Sequence, residues 1–153
     1  RLALLDTTAR PDTPEQTANR NKQIELTRNG AFDRVAQALF PMFVHENREN
    51  DEVLREIVLQ MAEETGGEAF IRQQHAIMSR DDARPGLSQI QCPTMVIVGD
   101  GDRLTPPDRA QEINQGIPGS RLEIVANGGH LSTLERPEAV TKLFRDWFCD
   151  AMA

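Results

Sequence analysis

The run Thr94-Met95-Val96-Ile97-Val98 constrains this chain more than any other stretch. Five apolar or β-branched residues stand there without a charge. Pro93 precedes them, and Gly99-Asp100-Gly101-Asp102 stops them. A short apolar run bounded by Pro and Gly is predicted to be a strand buried on both faces, as in a parallel sheet. Asp100 and Asp102 then lie just past its C-terminal end. In open α/β sheets, the crevice outside those strand ends is where ligands bind.

Two further strands are expected around it. Leu2 to Leu5 is an apolar run that ends at Asp6-Thr7-Thr8 and reads as a second buried strand. Arg121 to Val125 alternates polar and apolar side chains and reads as a more exposed one. Between the first strand and the central one, Thr13 to Ser79 looks helical throughout. Thr13, Pro14 and Gln16 suit a capping box, and Asn29-Gly30 suits the end of that helix. Phe32, Val35, Ala36, Leu39 and Phe40 form one helical face, which Pro41 is expected to end. A third helix starts at Asn50-Asp51 and stops at Gly66-Gly67, and a fourth spans Glu68 to Ser79. Beyond the central strand, a helix over Asp108 to Gln115 leads to the exposed strand. A turn at Asn127-Gly128-Gly129-His130 and a loop over Leu131 to Arg136 follow. The last helix opens at Pro137 and carries Val140, Leu143, Phe144, Trp147 and Phe148 on one face. The expected organisation is a core strand and loop over residues 1–10, a helical insertion over 11–86, and a strand-helix-strand-helix unit over 87–153.

The bulk properties narrow the function. A length of 153 residues suits one domain. A net charge of -7 argues against a nucleic-acid partner. No apolar run approaches the roughly 20 residues that a membrane helix needs, and the start of the chain lacks the pattern of a signal peptide. Cys92 and Cys149 have no metal-ligand spacing and are expected to be buried, reduced thiols of a cytoplasmic protein. A calcium loop on Asp100-Gly-Asp102 would need oxygen ligands where Leu104 and Gln111 stand, so no metal is expected there. No cofactor is expected either. The chain opens at Arg1 directly on a strand and without methionine, which suggests a piece of a longer polypeptide.

Asp102 and His130 carry the functional expectation. Each follows a predicted strand, and 28 residues separate them, about one strand-helix-strand step. If the two strands are parallel neighbours, a right-handed crossover brings both side chains to one crevice. A carboxylate beside an imidazole fixes the ring's tautomer and stabilises its cation, which is the work of two members of a Ser-His-Asp triad. The Gly128-Gly129 pair is expected to let the chain turn tightly before His130. His45, His75 and the Met and Phe side chains of the insertion read as structural, and Ser132 and Thr133 have no base beside them.

Gly99-Asp-Gly-Asp102-Arg-Leu-Thr-Pro-Pro107, followed by Gly129-His130 and Glu135-Arg-Pro-Glu138, resembles the C-terminal part of an α/β-hydrolase-fold protein. Ile90-Gln-Cys-Pro93 and Arg1-Leu-Ala-Leu-Leu-Asp6 are in character with strands of that family. The resemblance implies an α/β fold of about three parallel strands with flanking helices, and a helical insertion acting as a lid. It implies Asp102 as the triad acid and His130 as the general base. Asp6 is the alternative acid, because some members carry it after the preceding strand. The implied reaction is serine-type acyl transfer from a small ester or other acyl substrate to water. Carbon–carbon hydrolases, dehalogenases and cofactor-free peroxidases share these motifs. The order nucleophile, acid, histidine puts the nucleophile upstream of Arg1, and no Gly-x-Ser-x-Gly occurs in the chain. The chain alone is therefore expected to be inactive. A competing, non-catalytic expectation is a binding module that self-associates through the unpaired edge of Leu2 to Leu5.

Overall fold

A computed structural model describes residues 1–149. Its centre is a three-stranded parallel sheet in the order β1 (Leu2–Leu5), β2 (Thr94–Gly99), β3 (Arg121–Val125). Leu2 pairs with Thr94 and Leu5 with Ile97, while Met95 pairs with Arg121 and Gly99 with Val125. Every residue of β2 is buried, as the charge-free run predicts. Its side chains alternate between two cores. Val96 and Val98 pack with Ala110 and Ile113 of helix α5 (Pro107–Gly116) on one face. Met95 and Ile97 pack with Val125, Val140 and Trp147 on the other, under the last helix, Pro137–Cys149. β1 is half-buried rather than buried, because among the described residues it has a strand on one side only. β3 exposes Ile124 and buries Val125, against the simple alternation that would turn Ile124 inward with Leu122, because Val125 on the other face packs with Met95 and Ile97.

The 88 residues between β1 and β2 carry four helices: α1 (Pro14–Arg28), α2 (Phe32–Phe43), α3 (Glu52–Thr65) and α4 (Gly67–Met78). The capping box forms: the Thr13 hydroxyl accepts from Gln16 N–H and the Gln16 side chain accepts from Thr13 N–H. Asp51 caps α3 through Leu54 N–H. Arg20 of α1 bonds Asp12 at 2.6 Å and Gln74 of α4 at 2.8 Å, tying the first and last helices of the insertion together. Among the described residues, no helix is long and apolar enough to cross a membrane.

Three expectations need correction. Pro41 does not end α2, which continues to Phe43. A proline removes the bond to the carbonyl four residues back, but bonds from outside the helix hold this end. Arg103 bonds the Pro41 carbonyl, and Leu131 N–H donates to the Phe43 carbonyl at 3.0 Å. The stretch after His130 is not all loop. Ser132–Glu135 forms a single helical turn, α6, too short to leave a periodic pattern in sequence. The last helix is accordingly α7. Cys92 and Cys149 are exposed free thiols, not buried ones.

Candidate active site

The exits of β2 and β3 are bonded to each other. Asp100 N–H donates to the Val125 carbonyl at 3.1 Å, and Gly101 N–H donates to the Gly128 carbonyl at 2.9 Å. The parallel register therefore continues past the strands and sets the loop of Asp102 beside the loop of His130. Gly99 permits this approach. A Cβ on it would lie 2.2 Å from the Gly128 carbonyl oxygen. The turn before His130 differs from the sequence expectation in one respect: its left-handed residue is Asn127, with φ 54°, and neither glycine. Gly129 is needed for space, since a Cβ there would sit 2.3 Å from the backbone nitrogen of His45.

The sequence-picked residues meet. His130 Nδ1 lies 2.9 Å from Asp102 Oδ2. Asp102 is 3% exposed and all its oxygens are occupied. Oδ1 accepts the N–H groups of Leu104 and Thr105, each at 2.9 Å, and Oδ2 also accepts the Thr105 hydroxyl at 2.8 Å. Burial pushes its carboxyl up. Bonding and charge from His130, with the Thr105 donors, outweigh that and hold it below the ordinary carboxylate value. With Nδ1 engaged by Asp102, the imidazole keeps Nε2 for other partners.

Asp6 is placed differently. It ends β1 in a left-handed conformation, φ 44°, which Asp tolerates better than most residues. Its oxygens accept Gly99 N–H at 3.1 Å and the buried Ser132 hydroxyl at 2.5 Å. Burial raises its pKa, against the bonds from Ser132 and Gly99. Its carboxylate thus serves the junction of β1, β2 and α6, while the imidazole goes to Asp102. Asp100 is exposed, with its carboxylate 3.7 Å from His45 Nε2. His75 and Thr133 are exposed.

His130 opens onto a cavity of about 230 Å³. Phe32, Ala36, Leu39 and Phe43 of α2, Val58 and Met61 of α3, and Phe70 of α4 line it, with Leu131 beside the imidazole. The rings of Phe43 and His130 stack with centroids 6.4 Å apart. The wall is apolar except for Thr65, Gln73 and His130. No cluster of metal-binding side chains occurs among the described residues.

A family model described as the alpha/beta hydrolase fold matches residues 8–137. The chain belongs to the alpha/beta hydrolase fold family. As an alpha/beta hydrolase it is 34% identical over 68 residues to the pimeloyl-[acyl-carrier protein] methyl ester esterase of Neisseria meningitidis, a match that covers 44% of this chain and 27% of that protein. Among solved structures, a thermophilic esterase from Thermogutta terrifontis superposes with a TM-score of 0.89 at 31% identity. The match covers 97% of this chain and 55% of the esterase. The enol-lactonase from Burkholderia xenovorans LB400 superposes with a TM-score of 0.83 at 28% identity, covering 96% and 55%. The chain thus spans about half the length of these two structures, and the parallel sheet with its helical insertion is that of an alpha/beta hydrolase.

Sequence reasoning picked Asp102 and His130 but passed over Thr105 and Glu135. Thr105 lies three residues after Asp102, the spacing at which a hydroxyl folds back onto a turn carboxylate. Glu135 is a buried carboxylate that joins the nearby Gly129 N–H to the N–H of His45, 90 residues away, and its spacing to that second partner leaves no local pattern.

The charge of Asp102 links stability to pH. Its folded pKa lies below the unfolded value, so its contribution is present above the unfolded pKa of about 3.9 and is lost as pH falls through the folded value. Asp102→Asn is therefore expected to unfold at lower urea than wild type at pH 7, with the gap narrowing below about pH 4. Urea midpoints between pH 3 and 7 check this; a gap that stays constant would show that the ionised carboxylate contributes nothing.

Proposed function

We propose that this chain supplies the acid, the base and the acyl-binding lid of a serine-type hydrolase. The observation that carries the reading is the 2.9 Å contact of Asp102 with His130 Nδ1, at the mouth of an apolar cavity. In this reading His130 Nε2 takes the proton of a serine hydroxyl as it attacks the acyl carbon, and returns it to the leaving group. Asp102 orients the ring and stabilises the imidazolium. The helical insertion acts as a lid whose apolar wall holds the acyl part of the substrate and keeps water from it. The substrate is a small ester or related acyl compound, in keeping with a cavity wall made mainly of apolar side chains.

The nucleophile is proposed to come from sequence outside these 153 residues. Ser132 does not fit the role: it is fully buried, and its hydroxyl donates to Asp6. Activity therefore belongs to the whole protein. There, His130→Ala is expected to abolish hydrolysis of p-nitrophenyl esters, and Asp102→Asn to lower kcat by about 10⁴-fold. The 153-residue chain alone gives no turnover. Near-normal rates in the His130 variant would refute the base assignment.

The open edge of β1 supports a second reading, in which the chain by itself is a self-associating module. Leu2–Leu5 is apolar and, among the described residues, paired on one side only. Such an edge can accept a strand from another chain. Light scattering across a concentration series is expected to show growth beyond the monomer mass, and a monomer at every concentration would contradict it.

A further inference from the structure

Glu135 is 4% exposed, and neither the proton transfer nor the cavity wall uses it. Its carboxylate lies between two segments far apart in sequence. Oε1 accepts Gly129 N–H and Oε2 accepts His45 N–H, each at 2.8 Å. Gly129 immediately precedes the imidazole. His45 lies two residues past the end of α2, at the start of the link between α2 and α3. The two segments are in backbone contact there, since a Cβ on Gly129 would lie 2.4 Å from the Val44 carbonyl carbon. Two more bonds lace the same seam: Leu131 N–H to the Phe43 carbonyl at 3.0 Å, and the Arg48 guanidinium to the Glu135 carbonyl at 3.1 Å. On its other side, α2 contributes Leu39 and Phe43 to the cavity.

We propose that Glu135 is a positioning residue. It fixes the loop of His130 and the link between α2 and α3 as one piece, so the imidazole and the cavity wall keep a set separation. This rests on His130 being the general base. A carboxylate suits the task because its two oxygens accept two donors and it brings no donor of its own. Bonds from backbone N–H groups to a charged, buried acceptor are also among the stronger ones. Glutamine would turn an amide NH₂ towards one of the two N–H groups and leave that buried donor unpaired. The consequence is a loose seam and an imidazole out of place, and a displacement of about 1 Å in a catalytic group can cost about 10²-fold in rate.

The test measures kcat and KM of the whole protein for p-nitrophenyl butyrate in Glu135→Gln, His45→Ala, His45→Pro and His130→Ala. His45 has φ -59°, and Val44 before it is extended at φ -115°, ψ 158°. Proline therefore suits the backbone torsions, but its ring carbon takes the place of the amide hydrogen, so it removes the N–H and the imidazole and also pushes the Glu135 carboxylate away from the link. Alanine deletes the imidazole and keeps the N–H. His45→Pro is expected to lose about ten- to hundredfold in kcat relative to His45→Ala, and Glu135→Gln a similar factor relative to wild type. KM should stay within about threefold in both. Equal kcat in His45→Pro and His45→Ala overturns the proposal, as does a loss confined to KM. The His45 pair decides the matter if Glu135→Gln fails to fold, and Glu135→Gln, which keeps the shape of the side chain, decides it if His45→Pro fails to fold. An active His130→Ala would instead overturn the base assignment on which the proposal rests, and so separates the two failures.

Discussion

The burial of β2 on both faces and its pairing on both edges is the constraint on which the rest of the structure depends. A strand with no polar side chain after Thr94 and no free edge must have helices above and below and a strand on each side. α5, α7, β1 and β3 meet that demand. Because all three strands run the same way, their C-terminal exits lie together. Asp6, Asp102 and the loop of His130 then share one end of the sheet, and the bonds from Asp100 and Gly101 to Val125 and Gly128 carry the pairing into the loops.

At that end, polar groups are buried and fully engaged. Asp102 collects four donors, Asp6 collects two, and Glu135 collects two. No described buried side-chain polar atom lacks a partner. The three carboxylates divide the labour. Asp102 holds the imidazole, Asp6 joins β1 to β2 and α6, and Glu135 joins the loop of His130 to the helical insertion. The glycines between them have a steric purpose: at Gly99, Gly101 and Gly129 a side chain would run into backbone or into His45.

What the sequence made legible follows the range of the interactions. The charge-free run of β2, the alternation of β3, the capping box at Thr13 and the apolar face of α7 are local patterns, and each element formed where it was expected. Asp102 and His130 were legible because each follows a strand at a spacing that one crossover explains. The misses are tertiary. α2 passes Pro41 because Arg103 and Leu131 hold its last carbonyls. The buried role of Glu135 depends on His45, 90 residues away. The exposure of Cys92 depends on where the sheet ends, since β2 starts only at Thr94.

The central claim is that Asp102 fixes the tautomer of His130 so that Nε2 is free to accept a proton. Nitrogen-15 NMR of the imidazole at a pH where the ring is neutral reads this directly in the chain itself. A proton on Nδ1, bonded to Asp102, and an unprotonated Nε2 are expected, with that preference weakened in Asp102→Asn. A neutral ring protonated at Nε2 in the unaltered chain would contradict it.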